Sequence, residues 1–276
     1  MPKIAVLQMT TGIDPEANFA AIKVAAHEAK ASGAQVLFTP EMALLLDRDR
    51  KRAAAWIASE RPQEMYSRLR ELAGTVGIDL AIGSMPMLAK PDEPEGKWAN
   101  RSFYFTRDQG SPISYDKIHM FDVDLDNGES WRESNAYEPG KSVVTGTNTP
   151  LGKLGLAICY DMRFPALFEE LGKQRCDVIA IPAAFTVPTG KAHWHILLRA
   201  RAIEASAFVV AAAQVGKHED GRETYGHSLV IDPWGEVLLD MGSEGPGLGF
   251  CEIDLARIVE VRAQVPSLAN RREIAK

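Results

Sequence analysis

Three side chains at predicted strand ends form a set that could attack a carbonyl group: Glu41, Lys117 and Cys159. Each follows a short strand-like run: residues 36–40, 113–116 and 154–158, respectively. The thiolate is the nucleophilic form of cysteine, but a free cysteine is mostly protonated at neutral pH. Glu41 could accept the proton of the attacking thiol, and Lys117 could stabilise the oxyanion that forms. The backbone N–H of Tyr160, just past the predicted strand-to-helix corner, could act as a second oxyanion donor.

Each of these residues also has a simpler interpretation when it is considered alone. A lone buried cysteine is usually a small core side chain, and Glu41 and Lys117 could be solvated loop charges. The three meet if their strands are parallel neighbours, whose carboxyl ends share one edge of a sheet. The complete set of base, nucleophile and cation favours the catalytic interpretation. Cys176 and Cys251 have no such setting and are predicted to be packing residues.

The predicted elements alternate between strands and helices along the chain. The first helix begins at Asp14 and Pro15, an N-cap aspartate followed by a first-turn proline. Residues 121–140 are polar and are predicted to form a long irregular loop. About a dozen strands are too many for one open sheet, so we predict an α/β fold with two sheets packed face to face and helices outside each. No linker divides the sequence, and residues 1–276 are predicted to form a single domain.

Composition argues against several functional classes. The net charge of −6 and the lack of a basic run argue against nucleic acid as a partner. No segment approaches the ~18 apolar residues that span a bilayer, and the N-terminus lacks the features of a signal peptide. Three cysteines do not make a disulfide framework and fit a reducing compartment. We therefore expect a cytoplasmic protein with no membrane or nucleic-acid partner.

The sequence resembles the nitrilase superfamily of carbon–nitrogen hydrolases from its first strand to its last helix. The matching segments are residues 38–41 (FTPE), 115–119 (YDKIH), 155–165 (GLAICYDMRFP), 190–194 (GKAHW), 198–204 (LRARAIE), 226–228 (GHS) and 232–235 (DPWG). The resemblance implies a four-layer α-β-β-α sandwich, a catalytic triad of Glu41, Lys117 and Cys159, and a homodimer or higher homo-oligomer. It also implies a second glutamate after the lysine, which Glu133 matches and which would position Lys117 and the substrate amide. Without the resemblance, Glu133 would be interpreted as an ordinary loop acid.

The sequence looks most like the branch that holds deaminated-glutathione amidase and omega-amidase. The resemblance implies a thiol amidohydrolase that cleaves the terminal amide of a small acidic substrate, 2-oxoglutaramate or its peptide conjugate, through a cysteine thioester and releases ammonia. An acidic substrate needs a cation near the thiol, and Arg163 could hold its carboxylate through two parallel hydrogen bonds. Alternatively, Arg163 could form a structural salt bridge to Asp161 or Glu169. Phe185 and Thr189 are pocket residues by the same resemblance.

Other functions remain open at this point. The same triad could hydrolyse N-carbamoyl amines or nitriles, and a catalytically silent, nitrilase-like interaction module is a rival of a different class. The mechanism requires no metal or organic cofactor. His193 and His195 are two residues apart on a predicted helix, so they diverge and are not predicted to share a metal ion.

Overall fold

The computed structural model describes residues 1–124, 128 and 130–272. Its strands, in chain order, are β1 (Lys3–Gln8), β2 (Val36–Phe38), β3 (Asp79–Leu88), β4 (Trp98–Phe105), β5 (Ile113–Asp116), β6 (Asp122–Asp124), β7 (Ser130–Arg132), β8 (Val144–Gly146), β9 (Leu154–Leu156), β10 (Val178–Ala180), β11 (Phe208–Ala211), β12 (Val215–Lys217), β13 (Glu223–Tyr225), β14 (Leu229–Ile231), β15 (Val237–Asp240) and β16 (Gly247–Glu252). Its helices are α1 (Pro15–Ala31), α2 (Arg50–Ile57), α3 (Arg61–Val76), α4 (Pro165–Lys173), α5 (Val187–Ala205) and α6 (Leu255–Gln264). Two short 3-10 turns cover Glu133–Asn135 and Cys159–Arg163.

Most of these strands form two six-stranded sheets. The order of the first sheet is β16-β1-β2-β3-β4-β5, and that of the second is β15-β14-β11-β10-β9-β8. In the first sheet β1, β2 and β3 are parallel, and β4 and β5 follow as successive antiparallel partners. Strand β5 therefore runs in the same direction as β2, and their carboxyl ends lie at the same edge. In the second sheet β9, β10 and β11 are parallel.

The alternation of side chains along the first sheet explains how the layers pack. Ile4 and Val36 belong to a buried cluster that they share with residues of the second sheet. Leu37, on the opposite face, belongs to a second cluster formed with α1 and α3. Phe168 of α4 and Trp194 of α5 join the cluster of the second sheet. The result is an α-β-β-α sandwich, which confirms the predicted architecture.

Two predicted segments differ from the structure. Helix α2 was not predicted; the Asp49 carboxylate caps it by accepting hydrogen bonds from two backbone N–H groups. Residues 121–140 are not wholly irregular, since β6 and β7 pair as antiparallel strands and β7 leads into the first 3-10 turn. Residues 125–127 and 129 of that predicted loop lie outside the described residues.

Other sequence-based expectations concern compartment and domain organisation. No helix in the described part of the chain has the length and apolar character needed to cross a membrane. The thiols of Cys159, Cys176 and Cys251 are all free. One buried cluster extends from β1 to α6, which agrees with a single domain; a single domain over residues 1–276 stays a prediction.

Candidate active site

The predicted catalytic side chains meet in one cavity where the two sheets face each other. Glu41, Lys117 and Cys159 all line this cavity. The strands before Glu41 and Lys117 belong to the first sheet but are separated by β3 and β4, and the strand before Cys159 belongs to the second sheet. The three strands are therefore not parallel neighbours, which was the condition under which the sequence analysis brought the side chains together. Strand ends from both sheets meet here because the sandwich brings two sheet edges together.

Two glycines allow close backbone contact beside Glu41 and Lys117. A Cβ atom at Gly83 would overlap the backbone carbonyl oxygens of Thr39 and Pro40, which lead into Glu41. A Cβ atom at Gly140 would overlap the carbonyl oxygen of Asp116, the residue before Lys117. Any larger residue at either position would displace the segment that carries a predicted catalytic group.

Glu41, Lys117 and Glu133 form a buried ionic cluster. The Lys117 Nζ lies 3.0 Å from Glu41 Oε1 and 2.9 Å from Glu133 Oε2. Asn100 Nδ2 donates to both carboxylates, at 2.9 Å to Glu41 Oε1 and 3.2 Å to Glu133 Oε1. The backbone N–H of Ala184 donates to Glu41 Oε2 at 2.9 Å. Because the side chains of Lys117 and Glu41 are only 2% and 6% exposed, solvent screens these contacts little.

The protonation states of the cluster follow from burial and mutual charge. Burial raises the pKa of Glu41, but the charge of Lys117 and hydrogen bonds from Lys117, Cys159 and Asn100 outweigh burial and hold the pKa below its ordinary value. Burial lowers the pKa of Lys117, but Glu133 and Glu41 outweigh it and raise the pKa well above its ordinary value. Burial, and then the negative charge of Glu41, raise the pKa of Cys159 well above its usual range. At neutral pH Glu41 is therefore a carboxylate, Lys117 an ammonium group and Cys159 a neutral thiol.

The Cys159 corner is held in an unusual conformation by buried hydrogen bonds. Cys159 has a φ of 45°, a left-handed value that is strained for a residue other than glycine. Its N–H donates to the Pro182 carbonyl at 2.8 Å. The fully buried Asp161 carboxylate accepts a hydrogen bond of 2.6 Å from the Tyr115 hydroxyl, which ties the corner to β5. The Tyr160 N–H lies in the first turn of the 3-10 segment, where N–H groups have no partner within the helix.

The cavity has a volume of about 480 Å³, and its wall contains Phe185 and Thr189 as well as Glu133 and Tyr160. Phe185 is buried, and Thr189 Oγ1 lies 2.7 Å from Thr186 Oγ1 on the first turn of α5. The structure thus brings most of the predicted site residues to one cavity.

Arg163 is the exception among the predicted site residues. It does not line the cavity, and its guanidinium lies 5.8 Å from the Tyr160 ring centroid and 5.3 Å from that of Phe185. Neither predicted salt bridge forms, because Asp161 is bound by Tyr115 and His119, and Glu169 pairs with other cations. The aromatic rings, and not a carboxylate, therefore surround this arginine.

Asn100 is a site residue that the sequence analysis missed. It is 1% exposed and lies on β4, and its amide joins two carboxylates that come from distant parts of the chain. The one signal in the sequence is an amide within a strand-like run, because a buried amide requires partners. The sequence alone does not say which partners.

His195 makes contacts that the sequence analysis did not consider. Its Nε2 lies 3.0 Å from Asp240 Oδ2, and His227 Nδ1 lies 2.9 Å from Asp240 Oδ1. Each of the three residues offers one atom that could bind a metal ion, and these three atoms lie within 4.8 Å of one another. None of the three lines the cavity. That the reaction itself needs no metal or cofactor stays a prediction.

Comparison with known proteins decides the family. The sequence matches the carbon–nitrogen hydrolase family over residues 3–263. This chain belongs to that family. It is 38% identical over 276 residues to the deaminated glutathione amidase of Yersinia enterocolitica, covering 99% of this chain and 93% of the relative.

A mammalian relative and a solved structure agree with this assignment. The chain is 39% identical over 273 residues to the deaminated glutathione amidase of Bos taurus, covering 99% of this chain and 82% of the relative. The crystal structure of the Caenorhabditis elegans NitFhit protein matches with a TM-score of 0.90 at 35% identity, covering 98% of this chain and 65% of that one. The resemblance to the amidase branch of the nitrilase superfamily is confirmed, and this carbon–nitrogen hydrolase is an amide-hydrolysing enzyme.

Proposed function

We propose that this enzyme hydrolyses the amide bond of deaminated glutathione, or of the related 2-oxo acid amide 2-oxoglutaramate, with Cys159 as the nucleophile. The observation that carries the proposal is the buried cluster in which Glu41 contacts both Lys117, at 3.0 Å, and the Cys159 thiol. The relatives named deaminated glutathione amidase support the choice of substrate.

In the first half of the reaction, Glu41 acts as a general base. Because the pKa of Cys159 is raised, the thiol is protonated until Glu41 takes its proton, and the sulfur then adds to the amide carbonyl carbon. Lys117 and the Tyr160 N–H stabilise the negative charge that develops on the carbonyl oxygen. Glu41 then gives the proton to the amide nitrogen, the C–N bond breaks, and a thioester remains on Cys159.

In the second half of the reaction, water replaces the amine. Glu41 takes a proton from the water as its oxygen adds to the thioester carbonyl. Collapse of this second intermediate breaks the C–S bond, releases the acid and returns the proton to the Cys159 sulfur. The enzyme leaves the cycle with the same protonation states with which it began.

Glu133 positions Lys117 and has no proton-transfer step in this mechanism. It accepts hydrogen bonds from Lys117 Nζ at 2.9 and 3.1 Å and from the Phe121 N–H at 2.7 Å. An ammonium group has three N–H donors. Glu41 Oε1 and both Glu133 oxygens lie within hydrogen-bond distance of Lys117 Nζ, so one N–H shifts from Glu133 to the oxyanion during the reaction.

The released amine depends on the substrate. Hydrolysis of 2-oxoglutaramate releases ammonia, as expected from the sequence. In deaminated glutathione the amide joins a 2-oxoglutaryl group to cysteinylglycine, so the leaving amine is cysteinylglycine. Release of 2-oxoglutarate is therefore the readout that both substrates share.

A substrate panel tests the proposal. Wild type, Cys159→Ala and the buried-thiol control Cys176→Ala are assayed with deaminated glutathione, 2-oxoglutaramate, an N-carbamoyl amine and a nitrile. We expect 2-oxoglutarate from the first two substrates with wild type and with the control, and none with Cys159→Ala. Activity confined to the carbamoyl amine or the nitrile would contradict the proposed substrate. An inactive wild type whose Cys159 is unreactive toward alkylating reagents would favour the silent-module alternative.

Self-association and compartment stay predictions. Exposed apolar side chains on α5, Ile196 at 70% and Ile203 at 50%, support a homodimer in which outer helices stack. The free thiols agree with a cytoplasmic location.

A further inference from the structure

Two guanidinium groups lie against one tryptophan ring in the cavity that contains Cys159. The guanidinium carbon of Arg48 is 4.8 Å from the Trp131 ring centroid, and that of Arg222 is 5.2 Å from it. The two arginines come from distant segments, one after Glu41 and the other between β12 and β13. The fold thus places two positive charges beside one aromatic ring.

Several other charged groups of the cavity wall already have charged partners. Lys117 is bound by two carboxylates. Arg132 pairs with Asp124 at 2.8 Å, and Asp47 pairs with Arg52 at 2.6 Å. These ion pairs leave little charge available for a ligand.

Arg48 and Arg222 keep hydrogen-bond donors available. Asp220 Oδ2 accepts from Arg222 Nε at 2.7 Å, which fixes the guanidinium by one edge and leaves its two Nη groups without an acceptor in the described part of the chain. Arg48 has no ion-pair partner among the described residues. Its guanidinium lies over the Trp131 ring. Glu223 is the one carboxylate of the cavity wall without an ion-pair partner among those residues, and it is exposed.

We propose that Arg48 and Arg222, held against Trp131, bind a carboxylate of the substrate. A guanidinium presents parallel N–H donors that match the two oxygens of a carboxylate, and its stacking on an aromatic ring limits its freedom before the ligand arrives. The inference rests on the proposed function, because it places the acidic part of an amide whose carbonyl lies at Cys159. It gives these two residues the role that the sequence analysis assigned to Arg163, which lies outside the cavity.

Aromatic rings connect the thiol to this carboxylate subsite. Tyr160, the residue after Cys159, has its ring centroid 5.1 Å from that of Phe121, and Phe121 lies 6.3 Å from Trp131. An extended chain covers about 3.3–3.6 Å per residue. The glycine carboxylate of deaminated glutathione is two residues from the scissile amide, so it would extend about 7 Å from the amide along this row of rings toward Trp131 and its two arginines. The carboxylate of the 2-oxo acid is the second source of the same chemistry.

Steady-state kinetics of Arg48→Met and Arg222→Met with deaminated glutathione and 2-oxoglutaramate test the subsite. We expect KM for deaminated glutathione to rise by about 10- to 100-fold in each variant, with kcat within about threefold, because a charged hydrogen-bonded contact that is equal in ground and transition states is lost. Arg222→Lys keeps the charge but loses the paired donors, so its KM should lie between those of wild type and Arg222→Met. Arg50→Met is the matched control, since Arg50 also lines the cavity but donates to the Arg132 carbonyl at 2.7 Å.

The two substrates identify which carboxylate is bound. A loss confined to deaminated glutathione assigns the glycine carboxylate, and an equal loss with both substrates assigns the 2-oxo acid carboxylate; either result supports the subsite. Less than a twofold change in both arginine variants would overturn it, and so would a larger loss in Arg50→Met or Arg163→Met.

Calorimetric titration of the Cys159→Ala protein with deaminated glutathione measures the subsite without turnover. Adding Arg48→Met or Arg222→Met to this protein should weaken binding by about 10- to 100-fold. If wild type hydrolyses neither substrate, the proposed function fails, while this titration still decides whether the two arginines hold a carboxylate. Equal affinity with and without the arginines would overturn the subsite even in an active enzyme.

Discussion

Replacement of Asn100 by aspartate tests the electrostatics of the site with almost no change in side-chain size. Asn100 Nδ2 donates to Glu41 Oε1 at 2.9 Å and to Glu133 Oε1 at 3.2 Å. Its Oδ1 is buried and has no hydrogen-bond partner among the described residues, so the two carboxylates orient the amide. Asn100→Asp converts this shared donor into a third carboxyl group in a buried cluster that contains one ammonium group.

The expected magnitude follows from the charges. Two like unit charges about 4 Å apart repel by about 4 kcal/mol at an effective dielectric constant of about 20. Lys117 offsets one of the two existing carboxylates, so one such repulsion remains. This energy corresponds to about 3 pKa units, and the pKa of the new carboxyl group should rise by that amount from about 3.9 in the unfolded chain.

The sign of the pH dependence follows from this raised pKa. A group whose pKa is higher in the folded state binds its proton more tightly there, so the variant should approach wild-type stability below about pH 4. Its free energy of unfolding should then fall relative to wild type as the pH rises to about 7, by about 4 kcal/mol in total. At neutral pH we also expect kcat/KM to fall by at least about 100-fold, because Glu41 loses a donor and shares a proton with the new group.

Urea unfolding and kinetics across this pH range provide the assay, with Asn135→Asp as the control. Asn135 is exposed on the 3-10 turn, so this change adds the same net charge outside the cluster. A stability difference between the two variants that does not change with pH would refute the reasoning. Wild-type kcat/KM in Asn100→Asp at neutral pH would refute it as well.

Two further predictions concern the thiol and the corner that carries it. Glu41→Gln should lower the pKa of the Cys159 thiol, because a negative neighbour is removed, and should reduce kcat/KM by about 10²- to 10⁴-fold, because the general base is removed with it. The thiol is titrated by its thiolate absorbance in the ultraviolet, with Cys159→Ala as the blank, and a thiol pKa equal to that of wild type would contradict this account. Tyr115→Phe should destabilise the protein by about 1.5–3 kcal/mol in urea unfolding, because the buried Asp161 carboxylate loses a hydrogen bond of 2.6 Å. The control Tyr66→Phe should have a small effect, since the Tyr66 ring packs edge-on against Phe103; equal effects of the two changes would contradict the role given to Asp161.

Strand ends and side-chain alternation made much of the site predictable from the sequence. Glu41, Lys117 and Cys159 each follow an apolar run, and a charged or nucleophilic residue that ends a buried strand lies at a sheet edge. The number of strands indicated two sheets, and the structure has two six-stranded sheets. Each of these signals lies within one short segment of the sequence, so it can be recognised without knowing which strands are neighbours.

The rest of the site depends on contacts between distant segments. Asn100 matters because the carboxylates of Glu41 and Glu133 both accept hydrogen bonds from its amide. No local sequence pattern shows that these distant residues come together. Arg163 is close to Cys159 in sequence, but the 3-10 turn that begins at Cys159 directs it onto the rings of Tyr160 and Phe185. Sequence distance from the nucleophile is therefore a poor guide to which arginine faces the substrate.

The formation of a thioester on Cys159 tests the central claim most directly. Wild-type enzyme turning over deaminated glutathione is quenched in acid and digested, and the peptide that contains Cys159 is examined by mass spectrometry. The account predicts a 2-oxoglutaryl adduct on Cys159 that hydroxylamine removes, and a loss of turnover of roughly 10⁴-fold or more in Cys159→Ala. An adduct on a different residue, or turnover by Cys159→Ala at the wild-type rate, would contradict it.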